Sequence, residues 1–135
     1  MIPAIRIIIL VAISWIIAEI IKTAVASVKK RKFMPAMLYT FGGMPSTHAA
    51  LVAALCTSIY CIDGFTTAFV ISIALLVLVS RDALAIRGAI DGNTAAIARI
   101  SRNKYRQRLI AHKPLELLVG IVIGIVLPLV LNAII

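Results

Sequence analysis

The chain has 135 residues, enough for one domain; 62% are apolar, 14% are charged, and the mean hydropathy is +1.09. Soluble domains hold about 45–50% apolar and about 25% charged residues, and a short chain buries proportionally less surface. This composition therefore excludes disorder, a secreted disulfide scaffold and an ordinary cytosolic domain.

Four apolar runs follow one another, at about Ile2–Val28, Ala49–Ile62, Phe65–Ser80 and Pro114–Ile135. A membrane span needs roughly 20 apolar residues, so the second and third are short and must borrow neighbours or tilt. The first, with Arg6 near its start, superficially resembles a signal peptide. Glu19 and Lys22 interrupt it and no A-x-A-like site precedes a soluble mature domain, so it is expected to be a retained helix. Asp63-Gly64 is a turn signal that makes a helical hairpin of the second and third runs. Cys56 and Cys61 show neither C-x-x-C nor metal spacing and are read as packing residues. The expected architecture is all-α. A single domain over 1–135 forms an integral membrane helical bundle of about four transmembrane helices. One partly polar helix within 82–100 packs in the bundle or at the interface.

Fourteen Lys and Arg face five Asp and Glu, a net charge of +9. The basic residues cluster in two connections between apolar runs, Lys29–Lys32 and Arg99–Lys113, and aromatics make up only 6% of the chain. That pattern suits positive-inside loops and anionic headgroups, and it argues against nucleic acid. With both connections on the cytoplasmic side, as expected of a prokaryotic plasma membrane protein, segment 82–100 does not cross.

Charges inside apolar runs mark functional sites or self-neutralising pairs. Glu19 and Lys22, three apart, share a helix face, and Arg87 and Asp91, four apart, share another. Arg81 and Asp82 end the third run. The two histidines stand at helix starts. In Gly42-Gly43-Met44-Pro45-Ser46-Thr47-His48 the glycines permit a tight turn, Pro45 suits a first helical turn, and Ser46 and Thr47 are capping residues. Free N–H groups at such a terminus bind phosphate, with His48 expected one turn into the helix. His112 precedes Pro114, and Glu116 lies one turn further on the same face, where a carboxylate can fix the imidazole tautomer. Two histidines, one carboxylate and several cations suit phosphoryl transfer through a phosphohistidine, with no metal and no cofactor.

These residues resemble a known family. Gly42-Gly43-Met44-Pro45-Ser46-Thr47-His48-Ala49 is similar to the G-G-M-P-S-S-H-S signature of the divergent branch of the type 2 phosphatidic acid phosphatase superfamily, membrane proteins also described as related to acid phosphatases and vanadium-dependent haloperoxidases. Arg81-Asp82-Ala83, Ile86-Arg87 and Gly92 resemble its Y-D-A-x-G-V-R-x-x-x-G segment. His112-Lys113-Pro114-Leu115-Glu116 with Gly120 resembles its G-H-T-P-x-E-V-x-x-G ending, so the resemblance spans Lys22 to Gly124.

The wider superfamily carries K-x6-R-P, P-S-G-H and S-R-x5-H-x3-D. Pro45, Ser46 and His48 match the second, with Thr47 in place of glycine. Arg106, His112 and Glu116 match the third, with Glu for Asp and Tyr105 for Ser. Lys22 and Lys29 fit the spacing of the first, with Lys for Arg and no proline following. The resemblance implies that His112 is the nucleophile, Glu116 its orienter and His48 the general acid. It implies phosphate contacts from Lys22, Ser46, Thr47, Arg87 and Arg106, with Asp82, Lys29 and Gly43 in support. The expected function is a metal-independent lipid phosphate or diphosphate phosphatase. The alternative is a non-catalytic membrane protein that binds or carries lipid phosphates. The expected partners are a lipid phosphate substrate, membrane lipids and a second copy of the chain.

Overall fold

A computed structural model describes residues 2–31, 44–86, 89, 92–93, 96–97 and 114–134. The described residues form four α-helices: α1 (Pro3–Lys30), α2 (Thr47–Asp63), α3 (Thr67–Arg81) and α4 (Pro114–Ile134). A π-helical turn, Asp82–Ile86, continues α3.

Pro3 suits the first turn of α1 because its missing N–H has no helical partner there. The 28 residues of α1 extend about 42 Å, more than a hydrocarbon core of about 30 Å, so the helix is long enough to span with residues to spare. The helix stops at Arg31, which takes a left-handed conformation (φ 50°) and turns its N–H back to Ser27 and Val28. The expected hairpin turn is present. Gly64 has φ 74° and donates to the Tyr60 carbonyl, and Thr66 caps α3 by accepting from the Phe69 N–H at 3.4 Å.

Three segments are long and apolar enough to cross a membrane: Pro3–Val28, Thr67–Ala85 and Pro114–Ile134. The short third run reaches span length by borrowing the π-helical turn. The second run borrows only Thr47, His48 and Asp63 and stays a 17-residue apolar helix. Packing explains this, because α2 is the hub of the bundle. It contacts α1, α3 and α4, and nine of its residues are buried, whereas α3 buries only Ser72. A helix wrapped by protein need not match the bilayer thickness with its own length. Large apolar side chains such as Ile8, Ile71 and Val122 are exposed on the outer helices, as lipid-facing residues would be.

The hub fits because its partners are small. Gly120 and Gly124, one turn apart on α4, face Ser46 and Ala50 of α2, so the two helices run parallel in close contact. A Cβ at either glycine would overlap the carbonyl oxygen opposite. This is the small-xxx-small packing that lets membrane helices approach without a hydrophobic driving force. In α1, Leu10, Ser14, Ala18 and Lys22 form a buried stripe at four-residue spacing. Arg6 Nη2 donates to the Asn132 carbonyl at 3.2 Å, so the start of α1 meets the end of α4 and these two helices are antiparallel.

In segment 82–100, Ala83 is buried and Asp82 is exposed. Ala89, Gly92-Asn93 and Ala96-Ile97 are helical and exposed; the rest of the segment lies outside the described residues.

Candidate functional site

This topology gathers the end of α1, the start of α2, the π-helical turn after α3 and the start of α4 at one end of the bundle. The Ser46 N–H donates to the Glu116 carbonyl at 3.0 Å, a direct backbone link between α2 and α4. Ala49, Ala83 and Leu117 form a buried cluster just below it, with Ile121 packed against them, which brings in the π-helical turn. Counting from the Arg6–Asn132 contact, Lys22 and Glu116 are each sixteen residues along their helices, so both lie about 24 Å away. Lys22, Ser46 and Glu116 thus share one depth.

Lys22 is 5% exposed, and its Nζ pairs with Glu19 Oε2 at 3.6 Å, three residues back on the same face. The shared face expected from spacing is thus a buried ion pair, consistent with the cost of burying an uncompensated ammonium. Glu19 Oε2 has no hydrogen-bond partner beyond this pairing. Lys22, His48 and Glu116 each make further interactions, and none is free.

The start of α2 departs from expectation in three respects. Pro45 precedes the N-cap and lies outside the helix, following a cis Met44–Pro45 peptide. Ser46 is the N-cap residue, but neither it nor Thr47 makes the expected side-chain cap. The Ser46 backbone amide is instead held by α4, and its Oγ is fully buried without a hydrogen-bond partner. His48 is the second helical residue, not one turn in, and its side chain is exposed. Thr47 beside it is buried.

Among the other expected site residues, Asp82 is exposed at the first position of the π-helical turn, and Glu116 is half-buried in the first turn of α4. Gly43, Arg87, Arg106 and His112 lie outside the described residues, as do Asp91 and the Lys29 side chain. The structure therefore brings together Lys22, Ser46, Thr47, His48, Asp82 and Glu116 at one end. Glu19, outside the expected set, joins them and was legible from its spacing to Lys22. Deeper on α4, Gly120 and Gly124 form a small-xxx-small pattern in the sequence, but their partners Ser46 and Ala50 are remote in sequence and were not legible.

A buried cation paired with Glu19 and an unpartnered buried hydroxyl at a helix start, inside an apolar bundle, define a membrane protein with polar groups buried at one end. The family model described as the divergent PAP2 family matches residues 4–127, and the chain belongs to that family. It is 27% identical to the uncharacterized membrane protein YuiD of Bacillus subtilis (strain 168), over 86% of this chain and 87% of that one. No solved structure matches the chain.

Proposed function

We propose that the protein is a metal-independent lipid phosphate or diphosphate phosphatase whose site lies on the cytoplasmic face of the plasma membrane. The observation that carries this reading is the fully buried Ser46 Oγ, unpartnered at the N-terminus of α2, at the depth of the buried Lys22. An unsatisfied hydroxyl costs about 1–3 kcal/mol, and a phosphate oxygen is a strong acceptor for it. The N–H groups of a helix's first turn have no acceptor within the helix and point toward such an anion.

In this reading an imidazole nitrogen of His112 attacks phosphorus in line, and the P–O bond to the lipid breaks. The exposed His48 gives its proton to the leaving alkoxide. Water, giving a proton back to His48, then attacks the phosphohistidine, which releases inorganic phosphate and restores both histidines. Glu116, four residues from His112, holds the imidazole in its reactive tautomer. Lys22, Arg87 and Arg106 stabilise the equatorial oxygens, and Ser46 and Thr47 position them. Asp82, Lys29 and Gly43 support the arrangement.

The test is phosphate release by purified protein in detergent with EDTA, from a panel of phosphatidate-like, phosphatidylglycerophosphate-like and polyprenyl phosphate lipids. EDTA-resistant release that disappears in His48→Ala and in His112→Ala is expected. Release retained by His112→Ala would defeat the nucleophile assignment. No release from any lipid, with binding that survives both substitutions, would make the protein a lipid-phosphate binder or carrier.

A further inference from the structure

The seam between α2, α3 and α4 is closed at the site end by Ala49, Ala83 and Leu117. Farther along it opens into a groove of about 360 Å³, within the size range of small-ligand clefts. The α2 helix contributes Ala53 and Thr57, α3 contributes Ile73, and α4 contributes Ile125. Tyr60 and Phe69, with ring centroids 5.2 Å apart, border the groove nearest the hairpin turn. The Thr57 hydroxyl donates to the Ala53 carbonyl at 2.9 Å, so its polarity is satisfied by the helix backbone. The groove therefore presents a hydrocarbon-like surface.

Its depth can be counted along α2. Ala53 is five residues and Tyr60 twelve residues beyond His48, so the groove runs from about 8 to about 18 Å below the site end. One leaflet of hydrocarbon is about 15 Å thick. The groove thus straddles the bilayer midplane.

We propose that this groove seats the terminal part of a lipid's hydrocarbon chain while the phosphate of that lipid binds at the start of α2, so that the protein selects long-chain lipid phosphates. The proposal rests on the lipid-phosphate reading above. Charge fixes the direction from which the occupant enters. Thirteen of the fourteen Lys and Arg fall at 22–32, 81–87 and 99–113, which in sequence close α1, close α3 and precede α4, and of these Lys22, Arg31 and Arg81 stand at the site end among the described side chains. At the opposite end stand Arg6, engaged with the Asn132 carbonyl, and the exposed Asp63, close in sequence to Tyr60. An anionic headgroup is drawn to the basic end, and only a chain reaching the middle of the bilayer enters the groove from there. A lipid entering from the other leaflet would bring its phosphate toward Asp63.

The test uses the full chain in lipid nanodiscs with two photoreactive lipid phosphates, one carrying a diazirine at the chain terminus and one beside the headgroup. Adduct sites are mapped by mass spectrometry. The terminal probe is expected to label 53–60 and 125–129, and the headgroup probe is not. Thr57→Phe fills the groove from α2 and Ile73→Trp from α3, so one misfolded variant leaves the other to decide. Each is expected to lower terminal-probe labelling about tenfold or more and to erase the preference for long over short chains. Terminal-probe adducts elsewhere, an unchanged chain-length preference in the folded variants, or equal labelling by a phosphate-free lipid would overturn the proposal. Groove adducts without phosphate release would leave the chain seat standing and remove the hydrolysis. Release without groove adducts would do the reverse.

Discussion

The backbone amide of Ser46 donates to the carbonyl oxygen of Glu116 at 3.0 Å, fastening the N-cap of α2 to the first turn of α4. A residue expected to serve its own helix is held instead by another, seventy positions away. Its side-chain Oγ is buried and unpartnered.

Ser46→Ala follows from that geometry. Removing an unsatisfied buried hydroxyl should leave the melting temperature in detergent unchanged or raise it, because no bond within the described protein is lost. The same substitution should weaken phosphate binding by about fivefold to tenfold, the worth of about one hydrogen bond. A drop in melting temperature with unaltered phosphate affinity would show the hydroxyl to be structural.

Gly120→Ala and Gly124→Ala should each destabilise the bundle by about 1–3 kcal/mol, because the added methyl meets a backbone carbonyl that cannot rotate away. Gly92→Ala, where a Cβ meets nothing within 4 Å, should stay within about 0.5 kcal/mol. Thermal unfolding of the three variants side by side checks this, and equal effects at Gly92 and Gly124 would contradict the close α2–α4 contact.

The Glu19–Lys22 pair predicts a non-additive series. Lys22→Met and Glu19→Gln each remove one member of a buried ion pair and should cost roughly 2 kcal/mol or more. The double variant Glu19→Leu/Lys22→Met should recover most of that loss, since an apolar replacement removes both desolvation penalties. It should nevertheless lose phosphate affinity together with the Lys22 charge. A double variant as unstable as the sum of the singles would sink the compensation argument.

Orientation is open to cysteine labelling in a background with Cys56→Ala and Cys61→Ser. Arg81→Cys stands at the basic end and Asp63→Cys at the opposite end, both at exposed positions. A membrane-impermeant thiol reagent added outside intact cells should label Asp63→Cys and spare Arg81→Cys, as the positive-inside rule requires. The reverse pattern would move the site to the outer face.

Much of the architecture could be read from residue order. Apolar run length and Asp63-Gly64 placed the four helices and the hairpin, and three-residue spacing put Glu19 and Lys22 on one face, because these are consequences of local geometry along a single helix. His48 at the start of α2 and Glu116 in the first turn of α4 were legible for the same reason. The tertiary structure alone decided that α2, the one described helix segment short of span length, is the hub, that Gly120 and Gly124 meet Ser46 and Ala50, and that Ser46 gives its amide to α4 in place of capping α2. The physical reason is that lipid-facing and protein-facing positions of a membrane helix are both apolar, so periodicity does not sort them. Which small residues meet is fixed by shape between segments some seventy residues apart, and that information exists only once the helices have packed.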